Sequence, residues 1–163
     1  MLIGLISDTH DHSPHIKQAV QIFKQHKVDL VLHAGDYCSP FTIAFFEDFS
    51  LKGVVGKNDG DHPQLKEKFE AIGGTLGMHF LDLEANDRKI ALYSGIEPPI
   101  TAALEHCGHY DIVVSGHTHE KKKETIDETL AINPGTAHGF GNEATFALLN
   151  TDSMRVEFMS LYQ

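Results

Sequence analysis

The chain has 163 residues, 41% of them hydrophobic and 22% charged, which predicts one globular domain spanning 1–163. A formal charge of −10 argues against nucleic acid as a partner and implies that a bound cation, not net charge, attracts any anionic substrate. Only Cys38 and Cys107 are present, so no disulfide framework or cysteine zinc site follows; with no leader or apolar run of membrane-spanning length, a cytoplasmic protein is expected. Twelve histidines hint at metal chemistry.

Leu2-Ile3-Gly4-Leu5-Ile6 is a short apolar run ending in Ser7-Asp8-Thr9-His10, the pattern of a buried strand that delivers polar side chains to a sheet edge. Ser13-Pro14 then starts a helix, with Ser13 as its expected N-cap and Ile16, Ala19, Val20 and Phe23 on one face. Val28 to Leu32 is a second strand, ending at His33-Ala34-Gly35-Asp36. Ser39-Pro40 repeats the helix-start signal before a segment with Phe41, Phe45, Phe46 and Phe49, more phenylalanine than one buried face requires and a possible partner surface.

Gly53-Val54-Val55 is a third strand and ends at Gly56-Lys57-Asn58-Asp59; Leu65, Phe69 and Ile72 mark a helix closed by Gly73-Gly74. Strand and helix alternate so far, which predicts a parallel sheet. Leu81 and Leu83, a turn at Asn86-Asp87 and the run Lys89 to Tyr93 predict a hairpin. Pro98-Pro99 opens a helix expected to bury Ile100, Ala103, Leu104 and Cys107, and Asp111 to Ser115 is a strand ending at Gly116-His117-Thr118-His119. The remainder, through Leu130-Ala131-Ile132, Phe146 to Leu149 and Val156 to Tyr162, is short strands and turns.

Four apolar strands thus end in polar clusters that hold Asp8, His10, Asp36, Asn58, His117 and His119. Mixed oxygen and imidazole donors suit Mn, Fe, Ni or Zn better than Ca. The glycines before Asp36 and His117 are expected to let the backbone turn sharply where each strand stops.

In this order the clusters resemble the signature of the calcineurin-like metallophosphoesterases: Asp-x-His, Gly-Asp, Gly-Asn-x-Asp/Glu, a lone His, and Gly-His-x-His. The likeness is greatest to the small YfcE-type phosphodiesterases and covers nearly the whole chain, including Ile132-Asn133-Pro134-Gly135-Thr136. The resemblance implies an α/β fold, a four-layer αββα sandwich of two mixed sheets flanked by helices, with a two-metal site at one sheet edge. It assigns one divalent metal, manganese favoured, to Asp8, His10, Asp36 and His119. A second metal would share Asp36 and take His117.

The second site departs from the pattern. Lys57 stands where the family has its Asn, and Ser94 where it has the lone His. Neither replaces a good ligand, since an ammonium has no lone pair and a hydroxyl is weak. Asn58, one residue along, is a substitute ligand or a plain turn residue, and Glu97 is a further one within reach. Two further options are that Lys57 offers its charge to the phosphate, leaving one metal per chain, and that the site is catalytically dead.

His33 is expected to be a packed strand residue, Cys38 a small buried one, and Lys121-Lys122-Lys123 a solvated strand face. His12, His15, His79 and His138 are expected at the surface or behind the ligands. The functional expectation is a metal-dependent phosphoesterase acting on small phosphodiesters through metal-bound hydroxide, with Lys57 and His117 contributing to catalysis; a homo-oligomer is open. A scaffold or a metal or nucleotide sensor on the same fold is the alternative.

Overall fold

The computed structural model describes residues 1–141 and 143–162. Its elements are β1 (Leu2–Ile6), α1 (Ser13–His26), β2 (Leu30–His33), a 3₁₀ helix (Pro40–Phe46), β3 (Leu51–Val54), α2 (His62–Ala71), β4 (Thr75–Gly77), β5 (Phe80–Ala85), β6 (Arg88–Tyr93), α3 (Pro98–His106), β7 (Ile112–Ser115), β8 (Lys121–Ile126), β9 (Thr129–Pro134), β10 (Ala144–Asn150) and β11 (Arg155–Leu161). They form two mixed sheets, ordered β11-β10-β1-β2-β3-β4 and β5-β6-β7-β9-β8.

Strand period decides the layering. β1 contributes Ile3 and Leu5 to a core between the sheets, where they join Leu30, Leu32, Ile90, Leu92, Ile112, Val114, Leu130 and Ile132. Ile6 belongs to a second core, with Ile16, Phe23, Phe46, Leu65, Phe69 and Phe146, under α1, the 3₁₀ helix and α2. On the far side of the second sheet α3 packs on β7 and β9. The result is the expected order of helix, sheet, sheet, helix. Both strand faces are covered, which is why the parallel strands are continuous apolar runs.

The parallel strands β1, β2 and β3 pair with Ile6 opposite His33 and His33 opposite Gly53. That register brings the segments after Ile6, His33 and Val54 to one edge. The second sheet adds the segment after β7 to the same place, because the two sheets pack face to face. The site is therefore a product of register and sheet packing together.

Several local expectations shift. The first helix is capped by the His12 imidazole, which accepts the His15 N–H, so Ser13 is its first residue. The phenylalanine-rich segment is 3₁₀, with Phe46 buried, Phe45 and Phe49 half-buried and Phe41 exposed. β4 was not foreseen; three residues carry too little pattern. In α3 the expected face is not the buried one: Ile100, Ala103 and Cys107 are exposed, while Glu105 is buried. Lys122 of β8 reaches Glu105 with two contacts, 2.8 and 2.9 Å, and this pair turns that helix face inward.

Candidate metal centre

Backbone hydrogen bonds join the loops first. The Asp8 and His10 N–H groups donate to the Gly35 and Asp36 carbonyls, both at 3.0 Å, and the His138 N–H donates to the Asp8 carbonyl at 3.0 Å. Asp8, His10, Asp36, His117 and His119 all have φ between +40° and +71°, so each stands at a left-handed bend. Asp and His tolerate that region better than bulky or branched residues do. Gly35 bends likewise (φ +97°), as expected of a glycine at a sharp turn. Gly116 does not: a Cβ there would sit 3.0 Å from the Ala34 carbonyl and 3.1 Å from Ser7 Cβ, so its glycine serves close packing of the two sheets.

Asp8, His10, Asp36 and His119 turn one donor atom each into a common space, all within 4.8 Å of one another. His119 Nε2 lies 3.2 Å from Asp8 Oδ1, and His10 Nε2 lies 3.9 Å from Asp8 Oδ1 and 3.7 Å from Asp36 Oδ2. Asp8 Oδ1 and His10 Nε2 are buried and have no hydrogen-bond partner among the described residues. Leaving each unsatisfied costs about 1–3 kcal/mol. A divalent cation between them satisfies both, and the two-carboxylate, two-imidazole donor set fits such an ion.

Hydrogen bonds hold both carboxylates in place. Asp8 Oδ2 accepts from the Ser7 hydroxyl and from the His117 N–H at 3.1 Å. Asp36 takes the Asn58 N–H on Oδ1 and the Asn58 side-chain amide on Oδ2, both at 2.8 Å. Asp59 binds the loop backbone from beneath, accepting from Asp36 N–H (3.1 Å), Gly56 N–H (2.7 Å) and Cys38 N–H (2.8 Å). Burial raises the Asp59 pKa, and the Gly56, Cys38 and Asp36 amides work against that rise.

His10 Nδ1 is 3.2 Å from Cys38 Sγ. For Nε2 to face a cation, Nδ1 must carry the proton and donate to sulfur, so the thiol orients the ligand. The half-buried Cys38 thiol has its pKa pushed up to about 11, by desolvation first and then by Asp11, Asp59, Asp36 and Asp8. Burial lowers the His10 pKa despite the two carboxylates, whereas the Asp8 carboxylate, 3.2 Å from its Nε2, raises that of His119.

The other expected residues separate. The His117 backbone touches Asp8, but its half-buried imidazole is outside the four-residue cluster. Lys57 and Asn58 are both exposed; Asn58 contacts Asp36, while Lys57 makes no ion pair among the described residues. Ser94 is 1% exposed, its Oγ has no partner among the described residues, and its N–H donates to the His79 carbonyl at 2.9 Å. Glu97 is exposed before α3, its N–H bonded to Tyr93 Oη at 3.0 Å. His33 is fully buried, its Nδ1 accepting the Gly35 N–H at 3.2 Å and its Nε2 3.2 Å from Thr9 Oγ1, and burial holds its pKa well below the usual value.

Sequence reasoning missed Phe140. Its ring meets His10 edge-on at 4.5 Å and lies parallel to His119 at 5.4 Å and His138 at 3.7 Å. The flanking Gly139 and Gly141 were the available signal, since both have positive φ and present the ring from a tight loop.

The family model described as the calcineurin-like phosphoesterase superfamily domain matches residues 1–154. Phosphodiesterase MJ0936 of Methanocaldococcus jannaschii is 36% identical over 156 residues, 93% of this chain and 94% of that protein. The solved structure of an archaeal phosphodiesterase has a TM-score of 0.94 at 35% identity, covering 99% of this chain and 100% of that one. The phosphoesterase YfcE of E. coli shares the fold, with a TM-score of 0.71 at 16% identity over 99% of this chain and 100% of its own. With its motifs in family order, a matching fold and four donors gathered at the sheet edge, the chain belongs to the calcineurin-like phosphoesterase superfamily.

Proposed function

We propose that this protein is a metal-dependent phosphodiesterase acting on small phosphodiesters, with Asp8, His10, Asp36 and His119 holding a divalent cation, manganese favoured. The observation that carries this reading is the pair of buried atoms, Asp8 Oδ1 and His10 Nε2, that have no hydrogen-bond partner among the described residues and face each other within the four-donor cluster. The named relative supports the diester as substrate class. A cation bound there supplies positive charge that polarises the phosphoryl group and makes water acidic enough to attack near neutral pH.

The chain's own groups do the rest. Asn58 holds Asp36 by two hydrogen bonds, and Ser7 and the His117 N–H hold Asp8, so the carboxylates are preorganised. His117 and Lys57 present an imidazole and an ammonium from the two loops that border the cluster, and both contact the substrate phosphate. On this reading Lys57 partly replaces a second cation, because Ser94 supplies no imidazole at the position next to it. Its exposure leaves the ammonium free to meet an anion.

The test begins with metal counting after saturation with Mn²⁺ and removal of excess, followed by hydrolysis of bis(4-nitrophenyl) phosphate. One ion per chain with measurable turnover is the expected result. Two ions would refute the Lys57 assignment, and no ion would refute the enzyme. The double change Lys57→Asn with Ser94→His should add a second ion; a variant that neither gains metal nor changes turnover counts against the role of Lys57.

A further inference from the structure

Beside the four donors lies an open cleft of about 490 Å³ whose lining includes His12, His15, His138, Phe140, Glu143 and Tyr162. Its histidines are close together: ring centroids are 3.9 Å apart for His12 and His15, 5.1 Å for His12 and His138, and 6.1 Å for His138 and His10. The cleft is therefore one ring away from the metal centre. Nothing in the proposed chemistry uses these three imidazoles.

Their hydrogen bonds fix which nitrogen bears the proton. His15 Nδ1 is 2.8 Å from the Ala137 carbonyl, which only accepts, so neutral His15 carries its proton on Nδ1. Its Nε2 is left with a lone pair, and that atom is buried and has no partner among the described residues, in a residue only 3% exposed. His12 Nδ1 accepts the His15 N–H at 3.3 Å, and His138 Nδ1 accepts the Phe140 N–H at 3.2 Å. Neutral His12 and His138 therefore carry their protons on Nε2. The cleft combines one buried acceptor with two donors.

That combination selects its occupant. A second cation is a poor match, because the lone pairs of His12 and His138 are taken up by backbone N–H groups. An anion is also a poor match: Glu143 lines the cleft and the described lining residues include no Lys or Arg. A hydroxyl fits, since it donates to one nitrogen and accepts from another. We propose that this cleft is a subsite for a hydroxyl-bearing arm of the phosphodiester, a ribose-type sugar ring, read by His15 with His12 and His138. The inference rests on the phosphodiesterase reading and specifies its substrate.

Two measurements test it. The first follows the His15 side-chain ¹⁵N resonances of the Mn-free protein while methyl β-D-ribofuranoside is added. Movement of the Nε2 signal is expected, and an unmoved signal overturns the subsite whatever the enzyme does. The second compares kcat/KM for the 4-nitrophenyl esters of uridine 5′-phosphate and of methyl phosphate, which share a leaving group. The wild type should prefer the uridine ester, and the preference should fall about tenfold in His15→Leu and, on the more tolerant loop, in His138→Gln. Equal loss on both esters, or an unmoved preference, overturns the subsite but not the phosphodiesterase. If the Mn-loaded wild type cleaves neither ester, the phosphodiesterase reading fails and the resonance titration alone decides what the cleft binds.

Discussion

Asn58 holds Asp36 at both oxygens, its backbone N–H on Oδ1 and its side-chain amide on Oδ2, each at 2.8 Å. An exposed turn residue thus fixes the carboxylate that completes the four-donor cluster. Asn58→Ala removes the side-chain bond and should weaken Mn²⁺ binding about 10–100-fold, the usual cost of losing a partner of a metal ligand. Lys57→Ala should leave Mn²⁺ affinity within a few-fold and lower turnover instead. Calorimetric Mn²⁺ titration of the two variants separates these effects. Similar affinity losses in both would contradict the division of roles.

Cation binding should also show as stability. An ion that binds only the folded chain at 100 times its Kd contributes about 2.7 kcal/mol, or roughly 5–10 °C in Tm for a chain of this size. Thermal unfolding with Mn²⁺ and with chelator should differ by that amount in the wild type. Asp36→Asn should lose most of the difference, because it removes one of the two carboxylate charges in the cluster.

Cys38 and Cys107 should differ as nucleophiles. Cys107 is exposed, whereas Cys38 is half-buried among Asp11, Asp59, Asp36 and Asp8, with its pKa pushed up to about 11. The thiolate is the reactive form, so in the metal-free protein Cys38 should resist iodoacetamide at pH 7. Its rate should climb about tenfold per pH unit toward pH 9, still below that pKa. Mass spectrometry of the two cysteine peptides reads both rates. Comparable labelling at pH 7 would contradict the assigned environment.

Glu105 and Lys122 offer a stability test remote from the cluster. Glu105 is buried and Lys122 is its close partner. Lys122→Met strands a buried carboxylate and should cost about 1–3 kcal/mol by urea unfolding. The pair Glu105→Met with Lys122→Met should recover most of that loss. A double variant no better than the single one would mean that helix packing, not charge, holds α3.

What was legible in the sequence was local or periodic. Apolar runs ending in Asp8, Asp36 and His117 marked buried strands, because strand period is a property of neighbours along the chain, while the resemblance of the motifs to a family implied the four-layer fold and the four donors. The face of α3 was not legible: Ile100, Ala103 and Cys107 have helical spacing, yet Lys122 of β8 draws Glu105 inward. Nor was the partner of Asp36, since a shift of one residue in the turn after β3 exchanges Lys57 for Asn58. The tautomers of His12, His15 and His138 depend on carbonyls and amides brought in by other loops. Only tertiary structure decides these, because each requires groups far apart in sequence to meet within hydrogen-bond distance.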